Sequence, residues 1–209
     1  LARRLAPQRL VGLYAMRADV LFDQGKIEAS SNLILQALER LGVRVARSRA
    51  MVVLALMKEF FVQALHMAFP KMFVNRTICV DSHALTVIRL LKRIGVIFYF
   101  SDNVYSSLYI YLKCLNYGDR QGLSEELVSL YVSGTAVWCT IPNNAMARRT
   151  LRLARPMARE IGSQTQERVV DAYESMYAVV TGDIDNAVAC GDWDSWSVIG
   201  FGECYWLDL

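Results

Sequence analysis

LVGLYAMRADVLFDQGKIEASSNLILQALERL, running from Leu10 to Leu41, decides the fold class. Leu10, Leu13, Tyr14, Val20 and Leu21 recur at helical intervals, with Ala15 and Ala18 between them. Asp23-Gln24-Gly25-Lys26 then interrupts the period, and glycine suits the left-handed backbone position that ends many helices. Ile27, Leu33, Ile34, Ala37, Leu38 and Leu41 resume it, and Gly42 closes it. Two helical segments joined by so short a turn predict an antiparallel pair.

The same unit recurs on the C-terminal side. A helix is expected over 49–69, stopped by Pro70, and the stretch Pro70 to Asp81 reads as an irregular connection. Asp81 or Ser82 can cap a helix reaching about Phe100. Ser101-Asp102-Asn103 makes the turn, Val104 to Tyr117 the partner helix, and Gly118-Asp119 its end. Ser124 is the next N-cap, with Glu125 and Glu126 in the first turn, where negative charge suits the helix dipole. Leu127 stands where a capping box would place glutamate. Ile141-Pro142-Asn143-Asn144 turns into a helix from Ala145 to Ile161, closed by Gly162. Pro156 falls inside it. Interior proline costs about 3 kcal/mol, which predicts a kink or an early break. A last pair starts near Thr165 with Val169, Val170, Tyr173, Met176 and Tyr177, and either Gly182-Asp183 or Gly191-Asp192-Trp193 supplies its turn. The expectation is an all-α chain of stacked antiparallel helix pairs over 8–42, 82–118, 124–162 and 165–209, forming one array across 1–209. The helix at 49–69 is either a repeat helix or an insertion.

Composition narrows the function. The chain has 209 residues, 54% of them hydrophobic, and a mean hydropathy of +0.24, so much of it must be buried. Twenty-three basic and 20 acidic residues leave a net charge of +3, without the concentrated basic surface of a nucleic-acid binder. Lys58, Glu59, Gln63 and His66 interrupt the apolar run Met51 to Pro70, and Arg89, Lys92 and Arg93 the run Val87 to Phe100, so no membrane span is expected. Cys79, Cys114, Cys139, Cys190 and Cys204 form no C-x-x-C pair, which points to buried thiols in a reducing cytoplasm. Leu1 is no initiator methionine and Tyr205-Trp206-Leu207 is an apolar end, so a piece of a longer protein is expected.

The spacing resembles tetratricopeptide-type repeats. Ala18 precedes Gly25 by seven residues, and Ser30, Ile34 and Ala37 follow it by five, nine and twelve, with serine in place of the usual alanine. Gly95 and Phe98 before Asp102, and Ser107, Tyr111 and Cys114 after it, repeat the spacing with weaker residue types. The order of phrases LKCLNYGD at Leu112–Asp119, Ile141-Pro142, ARRTLRLA at Ala147–Ala154 and Gly191-Asp192-Trp193 resembles a narrower group. It is similar to the degenerate repeat region that follows the AAA-like ATPase module of signalling proteins carrying a class III adenylate or guanylate cyclase or a serine/threonine kinase domain. This resemblance implies a non-catalytic arm that binds a protein, a peptide or another domain of its parent chain.

Chemistry-bearing motifs are sparse. There is no G-x-x-x-x-G-K-[ST], H-E-x-x-H or G-x-S-x-G sequence. Gly200-Phe201-Gly202 lacks the third glycine of a dinucleotide fingerprint, and no cofactor is expected. His66 and His83 read as packed or capping residues, and Asn75-Arg76-Thr77 as a chance glycosylation pattern. The aromatic clusters Tyr105, Tyr109, Tyr111, Tyr117 and Trp193, Trp196, Tyr205, Trp206 suit gaps between helical layers. One pattern stands out. Arg148, Arg152, Arg155 and Arg159 recur at intervals of four, three and four along one helical face. Such a strip suits a docking surface for carboxylates or phosphates, but the reading to prefer is a solvated outer face whose charges find local partners. Leu151, Ala154 and Ala158 are expected to point inward. The leading expectation is therefore a regulatory repeat arm without an active site. A free-standing adaptor that binds a peptide in its groove, and a small helical enzyme, are the alternatives.

Overall fold

A computed structural model describes residues 7–101, 103–140, 143–185 and 187. Among these the fold is all-α, as the periodicity predicts. The helices are α1 (Pro7–Asp23), α2 (Ile27–Arg40), α3 (Arg49–Ala68), α4 (Pro70–Phe73), α5 (Ser82–Phe100), α6 (Val104–Gln121), α7 (Glu125–Thr140), α8 (Asn144–Glu160) and α9 (Gln164–Thr181). The described residues fall into two compact units. One comprises those up to Phe73 with Val80–Tyr117, the other Val74–Cys79 with those from Gly118 onward.

In the first unit α1 and α2 form the expected antiparallel pair. Backbone bonds close the turn, with Lys26 N–H donating to Leu21 O at 2.8 Å. The helices cross closely because the residues at the crossing are small. Ala18 and Ser30 are fully buried, and Ser30 Oγ donates to Ala18 O at 2.6 Å. This crossing sets which face of α1 is inside: Leu10, Val11 and Ala18 are buried, while Leu13 and Val20 point outward. Ile34, Ala37 and Leu38 of α2 complete the interior, and α2 packs on α5. The α5 contribution is Val87, Ile88, Leu91 and Ile94, all without exposed surface. Each such aliphatic side chain contributes about 1.5–3 kcal/mol of burial free energy. Arg93 of α5 pairs with Asp19 of α1, and desolvation there pulls the guanidinium pKa down to about 10. Asp81 is the N-cap of α5, accepting from His83 N–H at 2.9 Å.

Helix α2 packs directly on α5, with α3 and α4 between them in the chain. Ser48 caps α3 by accepting from Met51 N–H at 3.4 Å. The helix then buries Val52, Glu59, Gln63 and His66, three of them polar.

In the second unit α7 and α8 are antiparallel and α9 packs on both. Leu127, Val128, Ala154, Met157, Ala158 and Val170 fill its core. Ser124 accepts from Leu127 N–H at 3.2 Å, so the N-cap works without a glutamate in reply. Asn143 and Ser163 cap α8 and α9 by accepting from Met146 N–H and Gln166 N–H. Gly182, with φ of +79°, ends α9 at the first of the two candidate turns; the other, Gly191-Asp192-Trp193, lies outside the described residues.

Three expectations need correction. The helix expected to end at Gly118-Asp119 continues to Gln121, because Asp119 is fully buried and accepts from Tyr131 Oη at 2.8 Å. The stretch 70–81 is more ordered than an irregular connection. After the short α4, Asn75 N–H donates to Asp119 O at 2.7 Å, Leu123 N–H to Thr77 O at 2.8 Å and Cys79 N–H to Leu123 O at 2.8 Å, which makes a parallel bridge between Ile78 and Leu123. Pro156 does not break α8. Pro156 and Arg152, whose carbonyl loses its partner, both lie on the exposed side of the helix, where water can satisfy the freed oxygen.

One register recurs about the turns in both units. The positions seven before and five after the turn residue are Ala18 and Ser30, Gly95 and Ser107, Thr135 and Ala147, Ser175 and Ala187. In three of the four a serine hydroxyl at one position donates to the backbone carbonyl at the other: Ser30 to Ala18 at 2.6 Å, Ser107 to Gly95 at 3.1 Å and Ser175 to Ala187 at 2.8 Å. In the remaining pair Thr135 and Ala147 are fully buried, and Thr135 Oγ1 meets Thr150 Oγ1 at 3.2 Å.

Candidate functional site

The arginine strip lies on α8, whose opposite face is its buried one. Ala147, Leu151, Ala154 and Ala158 are inside, as their spacing predicts. The arginines therefore face outward, but their surroundings differ. Arg148, Arg152 and Arg159 are exposed, and Arg155 is half-buried.

Arg155 is held by α9. Its Nη2 lies 2.6 Å from Asp171 Oδ1 and 2.6 Å from Glu174 Oε2, and its Nε donates to Glu174 Oε1 at 3.2 Å. Two N–H groups on one carboxylate make the bidentate fork that suits guanidinium. The Glu174 carboxylate, opposed by partial desolvation and helped by Asp171, raises the Arg155 pKa further. This member of the strip is thus neutralised locally and fastens α8 to α9. Arg148 stands over the Tyr177 ring, 6.0 Å from its centroid, and reaches Tyr177 Oη at 3.5 Å. Tyr177 Oη in turn donates to Asn144 O at 3.3 Å. Ring and hydroxyl fix where this guanidinium points, and among the described residues no carboxylate pairs with it. Among the described residues Arg152 and Arg159 meet no carboxylate. The strip is therefore three exposed cations over about 16 Å of helix, with one internal ion-pair cluster in its middle.

The other sequence candidates resolve into packing. His66 is buried and its ring stacks on Phe73, with centroids 5.8 Å apart. His83 is exposed at the α5 N-terminus. Asn75 works as a clasp: its Oδ1 accepts from Thr77 N–H and Thr77 Oγ1 at 2.9 and 2.8 Å. Tyr109 and Tyr111 are buried, whereas Tyr105 is 69% exposed and fills no gap in the core. Burial pushes the Cys114 thiol up to about 12, which keeps it protonated and inert. Among the described residues no three His, Cys, Asp or Glu side chains gather as metal ligands. Gly200-Phe201-Gly202, Trp193, Trp196, Tyr205, Trp206, Cys190 and Cys204 lie outside the described residues.

Sequence reasoning missed a polar seam in the first unit. Asn116 Nδ2 of α6 donates to Glu59 O at 2.8 Å and to Glu59 Oε2 at 2.9 Å. Lys58 and Lys113 approach Glu59 Oε1 at 3.6 and 3.9 Å. Desolvation lowers the Lys113 pKa, and the Glu59 charge opposes that shift. The 59, 63, 66 spacing of Glu59, Gln63 and His66 was a visible signal of a shared helical face. Its inward direction was not visible. No protein-family model matches the chain, and no curated protein sequence matches it.

Proposed function

We propose that this chain is a non-catalytic, tetratricopeptide-like repeat region, a regulatory arm of a larger signalling ATPase, kinase or nucleotide cyclase of the cytoplasm. Its exposed α8 face docks an acidic segment of a partner protein or of another domain of its parent. The single observation that carries this reading is one recurring register: across the turn a serine hydroxyl bonds the facing backbone carbonyl at Ser30, Ser107 and Ser175, and Thr135 and Ala147 at the equivalent positions are both buried. A repeat must keep those positions small so that successive pairs can stack, and its variable outer face is left for recognition. Arg148, Arg152 and Arg159 supply that face with guanidinium groups, which recognise carboxylates.

The test is fluorescence anisotropy with a labelled amphipathic peptide rich in glutamate. Arg152→Glu with Arg159→Glu should weaken binding about tenfold or more, since each exposed contact is worth about 0.5–1 kcal/mol and reversal adds repulsion. Arg155→Ala should lower stability and leave peptide affinity within about twofold, because Asp171 and Glu174 already occupy that guanidinium. Equal affinity of the double variant and the parent chain would discard the α8 face as the docking site.

A further inference from the structure

Helix α3 is built inside out. Its inward side carries Glu59, Gln63 and His66, while Val53, Leu54, Met57, Phe60 and Phe61 face outward, the last four each more than half exposed. At 100° per residue these five, with Ala50, Ala64 and Met51, cover roughly half of the helix circumference. A single partner helix needs a narrower stripe of about 100°. The inward side gives little apolar burial in return. Two buried acceptors at this seam, Gln63 Oε1 of α3 and Asn116 Oδ1 of α6, receive no hydrogen bond among the described residues. No described helix covers the outward side either, which stays exposed along its length.

Charge narrows the choice of cover. Between Gly42 and Phe73 the sole acidic residue is Glu59, which is buried, while Arg44, Arg47, Arg49, Lys58 and Lys71 are exposed cations. A second copy of the chain would bring the same five charges against these five. An anionic surface with an apolar interior would match both the cations and the wide apolar arc. The helix has 20 residues and is apolar enough to cross a membrane by length and composition, with 22% of that stretch buried. A crossing would set Lys58, the tenth residue of α3, in the middle of the hydrocarbon. Lying in the interface, the helix keeps Lys58 at the edge of the apolar arc, where its ammonium can reach headgroups.

We propose that the α3–α4 segment is a membrane-surface element that lays its apolar arc into the interface of an anionic bilayer. The test is flotation of the full chain with phosphatidylcholine vesicles, with and without about 30% phosphatidylserine. The chain should float with the anionic vesicles and much less with the neutral ones. Phe60→Glu with Phe61→Glu should reduce the bound fraction about tenfold, with the circular dichroism spectrum unchanged. Arg44→Gln with Arg49→Gln should lower the preference for anionic lipid. As a second readout that leaves the face apolar, Phe61→Trp should gain fluorescence that brominated lipids quench. No flotation, flotation indifferent to the Phe60 and Phe61 charges, or an unquenched Phe61→Trp signal would overturn the proposal. A dimer that those charges convert to a monomer, without vesicle binding, would assign the face to a second copy and overturn it equally.

Discussion

Replacing Gly122 with alanine isolates the clasp that joins residues 74–79 to the end of α6. Gly122 has φ of +119°, a region that residues with a Cβ occupy at a cost of about 1–3 kcal/mol. Space is worse than torsion there: a Cβ at this position would stand 2.3 Å from Thr77 O, so the Thr77 carbonyl must move. Thr77 O accepts from Leu123 N–H, and Leu123 O accepts from Cys79 N–H, both at 2.8 Å. Losing these two bonds costs about 1 kcal/mol each. Gly122→Ala should therefore lose about 3–5 kcal/mol in all, close to 10 °C in Tm for a chain of this length. Gly162→Ala is the matched control. Its φ of +68° is also left-handed, but a Cβ there would meet nothing within 4 Å, so about 1 kcal/mol is expected from torsion alone. Thermal and urea unfolding followed at 222 nm would measure both. If the two substitutions cost the same, the steric argument is wrong and the 74–79 segment contributes nothing to the fold's stability.

Two further predictions address the interior. Substituting Ser30 by alanine should cost about 1 kcal/mol, the value of its bond to Ala18 O, whereas Ser30→Leu and Ala147→Leu should each cost about 3 kcal/mol or more by forcing a helix crossing apart; chemical denaturation of the three variants would show whether the crossings are as tight as the register implies. Cys114 governs an alkaline limb. Its folded pKa of about 12 lies above the ordinary 9.0, so the folded state holds the proton longer, and this contribution is fully present below pH 9 and declines as pH rises toward 12. Stability should fall there by up to about 1.4 kcal/mol per pH unit. Cys114→Ala should flatten that slope in urea titrations at pH 8 to 10.5, and an unchanged slope would assign the loss to other groups.

Much of the fold was legible along the chain because helix signals are local. The Leu10–Leu41 period, the caps at Asp81 and Ser124 and the breaks at Gly25 and Gly162 depend on side chains within a turn or two of each other. The boundaries that failed were decided at a distance. Gly118 ends nothing because Asp119 and Leu123 find partners in Tyr131 and in residues 75–79, and α8 runs on past Pro156, which faces outward.

The candidate site divides in the same way. Sequence alone placed four arginines on one face, since 3.6 residues per turn admit no other arrangement of that spacing in a helix. It also set the small residues at the crossings. Tertiary structure decided which of those arginines are spoken for, because Asp171 and Glu174 reach Arg155 from another helix. It also decided which side of α3 faces in. A helical period gives the angle between polar and apolar faces but carries no sign, and only the neighbouring α6, with Asn116 turned toward Glu59, sets the polar face inward and leaves the apolar one outside.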